Sequence, residues 1–340
     1  MPHPTVRKQG LALLLSCLGA VAAPAFAQDV AGADEIRDVA PVVVSGELPG
    51  PGLWKVSKGE HVLWILGTQA PLPRRMQWHS EDVDEALAAS QELIHAPVMG
   101  VTFEAGGFFK SLFLIPKVYG ARKNPGDATL QDILPAGLYA RWLPLRERYL
   151  GRGRKAEGMR PVFAAGELWS EALDEEGLVE GGIVGPVLER AVKAHGLRET
   201  RPQWILKITD AKAVLAEVEH ANLDDVDCLE ATIRELELGP ERLRQRANAW
   251  ASGDMAALRA LPDAGRRSAC SDAVMESPAL RKRGGEGIDE RMETLWLEAA
   301  EKALARNTST FALLPISNLL SDDGYLARLA ERGYAVVPPG

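Results

Sequence analysis

Residues 53–68 read LWKVSKGEHVLWILGT, and this stretch decides the fold. Two apolar runs of strand-forming residues, Leu53–Val56 and His61–Leu66, flank the turn sequence Lys58-Gly59-Glu60. Strand formers on both sides of a glycine-containing turn predict a β-hairpin, and Gly67-Thr68 ends its second strand. The folded part of the chain is therefore expected to begin with two paired strands.

A second strand signal closes the chain. Phe311–Leu314 is an uninterrupted apolar run, Gly324–Arg332 has the pattern of a helix with Gly333 just past its end, and Tyr334–Val337 is again strand-like. The order strand, helix, strand predicts a βαβ-like unit.

Between these two ends the pattern is mostly helical. Ser80 is a candidate N-cap for a helix to about Ser90, Leu93–Val98 predicts a short strand, and Phe108–Ile115 is an apolar run. Helical patterns separated by Gly or Pro then follow at 133–149, 162–173, 184–195, 211–219, 226–238, 241–251 and 288–305. We therefore predict an α/β fold, with a central β-sheet built from N- and C-terminal strands and a largely helical middle region.

The first residues have the pattern of a cleavable export signal. Arg7 and Lys8 precede an apolar stretch over residues 11–23, and Ala25-Phe26-Ala27 is the small-x-small pattern of a cleavage site. The apolar stretch is too short to span about 30 Å of hydrocarbon as a helix. The sequence therefore predicts a periplasmic or secreted protein with no transmembrane span.

The expected organisation is a signal peptide at 1–27, a Pro/Gly-rich linker at 28–50 and one large domain at 51–340. A lipoprotein attached through Cys17 is the less favoured alternative, because the cleavage site after Ala27 explains the segment without it.

Removal of the signal would leave 37 basic residues (39 − 2) against 47 acidic ones. Nucleic-acid binding needs a clustered basic excess, which this balance does not supply. Two short basic clusters, 152–155 and 281–283, lie beside glycines and are interpreted as solvated loops. The expected partner is a peptide, a small molecule or a periplasmic protein.

Two cysteines remain after the signal, Cys228 and Cys270. In an oxidising compartment, two cysteines with no third partner favour a disulfide. The bond would close a loop of about 40 residues and stabilise the fold by roughly 3–4 kcal/mol. Two buried free thiols are the alternative.

Three stretches resemble the TraB/GumN family of bacterial proteins. They are 52–56 with 66–73, the triplet Asp289-Glu290-Arg291, and 311–318 continuing through 323–326 to 332–336. The resemblance spans residues 51–337, and the helical middle matches by pattern alone. Family members are similar to Tiki-type metal-dependent proteases, and to erythromycin esterases and haem-binding lipoproteins more distantly.

The resemblance implies a metal site. Its signature is a Gly-Thr-x-His motif after the first long strand, a Glu that ends the next strand, and a Gly-x-x-His after the C-terminal strand. Open α/β sheets collect ligands at the carboxyl ends of their strands, so these residues can converge. Two imidazoles and a carboxylate could hold a divalent ion with an open position for water.

This sequence departs from the signature at each ligand position. Ala70 stands at the first His position, Ala96 at the Glu position, and Asn318 at the second His position. Alanine has no lone pair to donate, and an amide carbonyl is a poor ligand for zinc. We therefore expect no metal and no cofactor in a degenerate pocket motif comprising Gly67, Thr68, Gln69, Ala70, Ala96, Ser317 and Asn318.

Other residues are candidates to replace the missing metal ligands. His95 is adjacent to the vacated Glu position, but strand alternation favours the opposite face for its ring. Arg291 matches the family pattern and could bind an anion or carboxylate in the pocket, with a surface ion pair as the alternative. Ser317 lacks a Gly-x-Ser-x-Gly elbow and fits a turn. An acidic cluster around His220 fits a solvated helix junction.

The leading hypothesis is an exported TraB/GumN-like protein that has lost the family's metal-dependent hydrolase chemistry and acts as a non-catalytic binding or interaction protein. The alternative is a diverged periplasmic hydrolase, a peptidase or esterase, that uses replacement residues in the same pocket. Haem or metal sequestration is less favoured, because the five histidines that follow the signal (6 − 1) are scattered.

Overall fold

The computed structural model describes residues 50–76, 78, 81–103, 120–220, 225–261 and 265–339. The predictions for the export signal, the linker before Gly50, the cap Ser80 and the apolar run 108–115 fall outside these residues. Within them the fold is α/β, with the central sheet built from N- and C-terminal strands and a helical middle, as the sequence predicts.

The strands of the described residues form three sheets. Their bounds are β1 Leu53–Lys58, β2 His61–Thr68, β3 Leu72–Pro73, β4 Glu92–Ile94, β5 Val98–Phe103, β6 Leu178–Val179, β7 Arg198–Thr200, β8 Gln203–Ile208, β9 Ser309–Pro315 and β10 Ala335–Val337. The central sheet has the order β10-β1-β2-β9-β4-β7, while β3 pairs with β6 and β5 pairs with β8.

The helices fill the middle of the chain and follow the last long strand. Their bounds are α1 Glu81–Ala89, α2 Leu130–Ile133, α3 Ala136–Tyr149, α4 Pro161–Glu175, α5 Gly185–His195, α6 Ala211–His220, α7 Val226–Glu237, α8 Pro240–Ala251, α9 Met255–Ala260, α10 Arg266–Met275, α11 Pro278–Arg281, α12 Ile288–Arg306, α13 Ile316–Leu320 and α14 Tyr325–Glu331, with 3-10 turns at Pro125–Asp127 and Lys155–Gly158. Among the described residues, no helix has the length and apolarity needed to cross a bilayer.

The predicted hairpin forms, and its second strand is the centre of the sheet. β1 and β2 pair antiparallel from Leu53↔Leu66 to Lys58↔His61. On its other side β2 pairs in parallel with β9, from Val62↔Ser309 to Thr68↔Pro315. The two ends of the chain therefore meet in the middle of one sheet, and β2 and β9 end side by side.

Successive residues of these central strands alternate between two buried faces. Ile65 and Leu314 lie on the face that packs against α12. Leu66 and Leu313 lie on the opposite face, against α1. Burial of a leucine or isoleucine side chain stabilises a fold by about 1.5–3 kcal/mol, so both faces contribute to holding β2 and β9 together.

The helical middle has a core of its own. Helices α3, α4 and α7 pack together around fully buried side chains, among them Trp142, Leu168 and Ile233. This core positions α7 and α10 next to the carboxyl ends of the central strands, where the candidate site lies.

The prediction of one strand over Leu93–Val98 is wrong. β4 ends at Ile94 and pairs with β7, whereas β5 begins at Val98 and pairs with β8. Pro97 separates β4 from β5, and Pro202 separates β7 from β8. A proline has no backbone N–H to donate, so both segments stop pairing in the central sheet after Ile94 and Thr200. They pair again as β5 and β8 in a separate sheet.

The prediction of one helix over Ile133–Tyr149 is also wrong at its start. α2 ends at Ile133, and α3 begins at Ala136. Leu134 is extended because Pro135 follows it, and the steric restriction of a residue before proline ends α2 there.

The closing unit differs from a simple βαβ arrangement. β10 pairs antiparallel with β1, at the edge of the sheet. It therefore runs parallel to β9 but is separated from it by β2 and β1. Gly333, with a φ of 84°, follows α14 as expected, because the left-handed region is open to glycine.

Cys228 of α7 and Cys270 of α10 form the predicted disulfide. The bond spans 42 residues and stabilises the fold by about 4 kcal/mol in the chain-entropy description. It also fixes α10 to α7, so the first turn of α10, which carries Arg266 and Arg267, has a constrained position.

A buried carboxylate links neighbouring elements of the sheet by hydrogen bonds, at the end opposite to the candidate site. Glu92, at the start of β4, is 1% exposed. It accepts hydrogen bonds from Thr200 Oγ1 at 2.5 Å, Arg306 Nη2 at 2.6 Å and Asn307 Nδ2 at 2.7 Å. Burial raises the pKa of Glu92, but these three hydrogen bonds outweigh it and hold the pKa below its ordinary value.

We predict that Glu92→Gln lowers the free energy of unfolding at pH 7 by about 3 kcal/mol, because the variant loses charge-assisted hydrogen bonds in a buried site. The folded-state pKa is depressed, so this contribution is present above the unfolded-state pKa of about 4.3 and is lost as pH falls through the folded-state pKa. Urea denaturation followed by tryptophan fluorescence at pH 7, 5, 4 and 3 measures both effects.

Glu60→Gln, in the exposed turn between β1 and β2, is the matched control and should change stability by less than about 0.5 kcal/mol. A difference between wild type and Glu92→Gln that does not shrink with acidification would show that the carboxylate charge is not what stabilises this end of the sheet.

Candidate functional site

A cavity of about 50 Å³ lies at the carboxyl ends of β2 and β9. Residues 68–71, which follow from β2, and residues 315–317, which follow from β9, form one wall of it. The opposite wall comes from the helical middle and contains the cavity's charged side chains and one tryptophan: Trp169, Glu180, Glu235, Arg246, Arg266 and Arg267. This edge is where open α/β sheets place their ligands.

Gly67 allows α13 to pack directly on the end of β2. A Cβ atom at Gly67 would lie 2.4 Å from Ile316 Cδ1, closer than real Cβ atoms approach, and 3.1 Å from Leu319 Cδ1, which is tighter than most Cβ contacts. From the other side, Trp250 Nε1 donates a 2.6 Å hydrogen bond to the Gly67 carbonyl. The Gly67-Thr68 signal in the sequence therefore reflects a close approach of helix and strand.

Arg246 brings a buried positive charge to the end of β2. It lies one helical turn before Trp250 on α8, and it is 6% exposed. Its Nε donates a 3.0 Å hydrogen bond to Gln69 Oε1, and its Nη1 donates to the carbonyls of Leu258 and Leu261. A guanidinium group remains charged in proteins, so these oxygens compensate a charge that is shielded from water.

Arg266 is held against an aromatic wall. Its guanidinium carbon lies 4.1 Å from the centroid of the Trp169 ring, and its Nη2 is 2.6 Å from Glu180 Oε1. Trp169 Nε1 donates a 2.7 Å hydrogen bond to the same Glu180 oxygen. Stacking and ion pairing together fix the orientation of the guanidinium group.

Arg267 differs from the other two arginines of the cavity. Its side chain is exposed, and among the described residues it makes no hydrogen bond or ion pair. Glu235 of α7, in contrast, is a buried carboxylate. The cavity therefore contains two engaged guanidinium groups and one that faces solvent.

The structure brings together only part of the degenerate pocket motif. Thr68, Gln69, Ala70 and Ser317 line the cavity, and Gly67 lies directly behind it. Ala96, in the connection between β4 and β5, does not line the cavity.

Asn318, unlike Ser317, does not line the cavity. Its side chain hydrogen-bonds to Tyr325, which packs edge-on against Trp296 with ring centroids 5.4 Å apart. Burial, together with Glu293 and Asp289, raises the pKa of Tyr325 to about 12, although the hydrogen bond with Asn318 opposes the shift. Asn318 thus belongs to the packing of α12, α13 and α14.

His95 and Arg291, the two proposed replacements, also lie outside the cavity lining. His95 Nε2 is 2.7 Å from Glu199 Oε2, and Arg201 contacts the same carboxylate. Burial lowers the pKa of His95, and the hydrogen bond with Glu199 opposes the shift without reversing it. Arg291 lies over the ring of Trp204, 4.6 Å from its centroid.

Two of the acidic residues near His220, Glu217 and Asp225, are engaged by basic or backbone groups. Glu217 Oε1 pairs with Arg283 at 3.0 Å, and Asp225 Oδ2 accepts a 3.1 Å hydrogen bond from the Val162 amide. In the described ranges as a whole, no three His, Cys, Asp or Glu side chains are grouped so that they could hold a metal ion.

The sequence reasoning missed Arg246, Arg266 and Glu180. The spacing of Arg246 and Trp250 places both on one face of a predicted helix, which was a usable signal for a shared partner. What that face would contact depends on how the helical middle packs on the sheet.

We predict that Arg246→Met lowers the free energy of unfolding by about 3 kcal/mol, because Gln69 and the two backbone carbonyls lose a charged donor in a buried site. Arg152→Met is the control, since Arg152 is 88% exposed and pairs only with Glu147 among the described residues. It should cost less than about 1 kcal/mol. Equal losses in the two variants, measured by urea denaturation, would contradict the structural role of Arg246.

Comparison with known proteins places the whole fold in one family. The sequence profile of the TraB/PrgY/gumN family matches residues 52–338. No curated protein and no solved structure matches the chain. Because the family match runs from the first strand to the last, the chain belongs to the TraB/PrgY/gumN family.

Proposed function

We propose that the protein is an exported, non-catalytic binding protein of the TraB/PrgY/gumN family, in which arginines have replaced metal ligands as the functional groups of the pocket. The observation that carries this proposal is the presence of Arg246, Arg266 and Arg267 around the cavity at the ends of β2 and β9.

The arginines that line the cavity disfavour a divalent cation. Guanidinium groups have no lone pair to offer and would repel a second cation. Glu180 already accepts from Trp169 and Arg266, and Gln69 Oε1 accepts from Arg246. At the family's first His position, Ala70 adds only a methyl group to the wall.

Among the described residues that line the cavity, no histidine, cysteine or lysine is present to activate a nucleophile. Ser317 contributes a hydroxyl group to the lining. A serine nucleophile needs a base within hydrogen-bond reach to remove its proton. Binding without catalysis is the function that these side chains support best.

Export to an oxidising compartment is part of the proposal. The Cys228–Cys270 disulfide supports it, because such bonds persist outside the reducing cytoplasm. The signal-like segment 1–27 and the Pro/Gly-rich segment 28–50 then precede a binding domain at 51–340.

The metal content of the purified protein tests the proposal. After incubation with manganese, cobalt or zinc and then desalting, the protein should retain less than about a tenth of an equivalent of metal, because the cavity supplies too few ligands for a tetrahedral or octahedral centre. Inductively coupled plasma mass spectrometry gives the ratio, and a zinc enzyme of known stoichiometry carried through the same desalting is the control.

Two results would contradict the proposal. One is a stoichiometric ion that survives desalting. The other is peptidase or esterase activity that disappears in Ser317→Ala while the far-ultraviolet circular dichroism of the variant is unchanged. Either would favour the diverged hydrolase.

A further inference from the structure

We infer that the cavity binds a single carboxylate group that carries a small apolar substituent, either the C-terminus of a peptide or a small carboxylic acid. The inference rests on the proposed function and names the ligand class of the same site. It follows from the charge of the cavity, the guanidinium group of Arg267, which no described residue engages, and the size of the space.

The cavity is positively charged in an acidic protein. Three arginines against two glutamates leave one formal positive charge in the lining, whereas the whole chain has a net charge of −8. A monoanion neutralises this charge, while a phosphate dianion would leave an uncompensated negative charge in the cavity. The balance favours a carboxylate.

Arg267 supplies the donor for that carboxylate. Arg246 is engaged with Gln69, and Arg266 is engaged with Glu180, so both have fixed orientations. Arg267 makes no hydrogen bond or ion pair with any described residue. The planar guanidinium group presents paired N–H donors that match the two oxygens of a carboxylate.

The size of the cavity limits what accompanies the carboxylate. At about 10–15 Å³ for each water molecule, 50 Å³ has room for roughly three to five waters. The carboxylate end of a ligand and one short side chain fit this space, and the remainder of a longer ligand lies outside the cavity. Pro71, Leu243 and Ile316 add apolar surface to the lining, which suits an aliphatic substituent.

The helix that carries Arg267 is held in place before any ligand binds. Cys270, one turn after Arg266 on α10, is bonded to Cys228 of α7. Arg266 is further fixed by its stacking on Trp169. A donor on a rigid element loses little conformational freedom on binding, which is the advantage of a preorganised site.

Isothermal titration calorimetry on the purified protein tests the inference. N-acetyl-L-alanine should bind saturably, N-acetyl-L-alanine amide should not, and inorganic phosphate should bind at least about tenfold more weakly than the carboxylate. Propionate and acetyl-trialanine distinguish a small carboxylic acid from a peptide C-terminus as the ligand. Equal affinity for both assigns a small acid, whereas tighter binding of acetyl-trialanine assigns a peptide C-terminus, and either supports a carboxylate site.

Variants locate the binding. Arg267→Ala should weaken N-acetyl-L-alanine binding at least about tenfold, and Arg267→Lys should weaken it less, because lysine keeps the charge without the paired donors. Arg259→Ala removes an exposed arginine outside the cavity and should leave affinity unchanged. Thermal melts of all three variants show whether each is folded.

The inference is overturned if no carboxylate binds saturably, if the amide binds as well as the acid, if phosphate binds more tightly, or if folded Arg267→Ala binds like wild type. Metal content and peptidase activity are measured on the same sample. Failure of carboxylate binding in a metal-free, inactive protein overturns only the ligand class, whereas bound metal or hydrolysis overturns the proposed function itself.

Discussion

β2 and β9 pair in parallel from Val62↔Ser309 to Thr68↔Pro315, and the candidate site depends on this contact between the two ends of the chain. The paired residues are 247 positions apart (309 − 62), a loop closure that costs about 5 kcal/mol of chain entropy. Buried side chains on both faces of the sheet offset the cost. Because the two strands end together, the residues that follow them share one edge.

That edge becomes a site only because the helical middle closes over it. Arg246 and Trp250 of α8 contact the end of β2, and the disulfide fixes α10 beside it with Arg266 and Arg267 in its first turn. The cavity is therefore assembled from elements far apart in sequence, and three arginines line it. At the other end of the sheet, Glu92 holds β4, β7 and the end of α12 together.

Local patterns were enough to predict the hairpin, β9, most of the helices and the disulfide, because each depends on neighbouring residues or on a count of cysteines. The family resemblance also led to Thr68, Gln69, Ala70 and Ser317, which do line one cavity. The break between β4 and β5 was not predictable in this way. Pro97 and Pro202 interrupt the sheet jointly only because β4 pairs with β7, and that pairing is not visible in a local pattern. The arginines were missed because helix spacing shows a face but not its partner.

Anomalous diffraction from crystals of the purified protein, grown with zinc and N-acetyl-L-alanine together, tests the account's central claim most directly. The two ligands then compete for the same cavity under one condition. The account predicts electron density for a carboxylate against the Arg267 guanidinium group and no anomalous zinc peak among the residues that line the cavity. A zinc peak coordinated by residues 68–70 or 315–318 would contradict it.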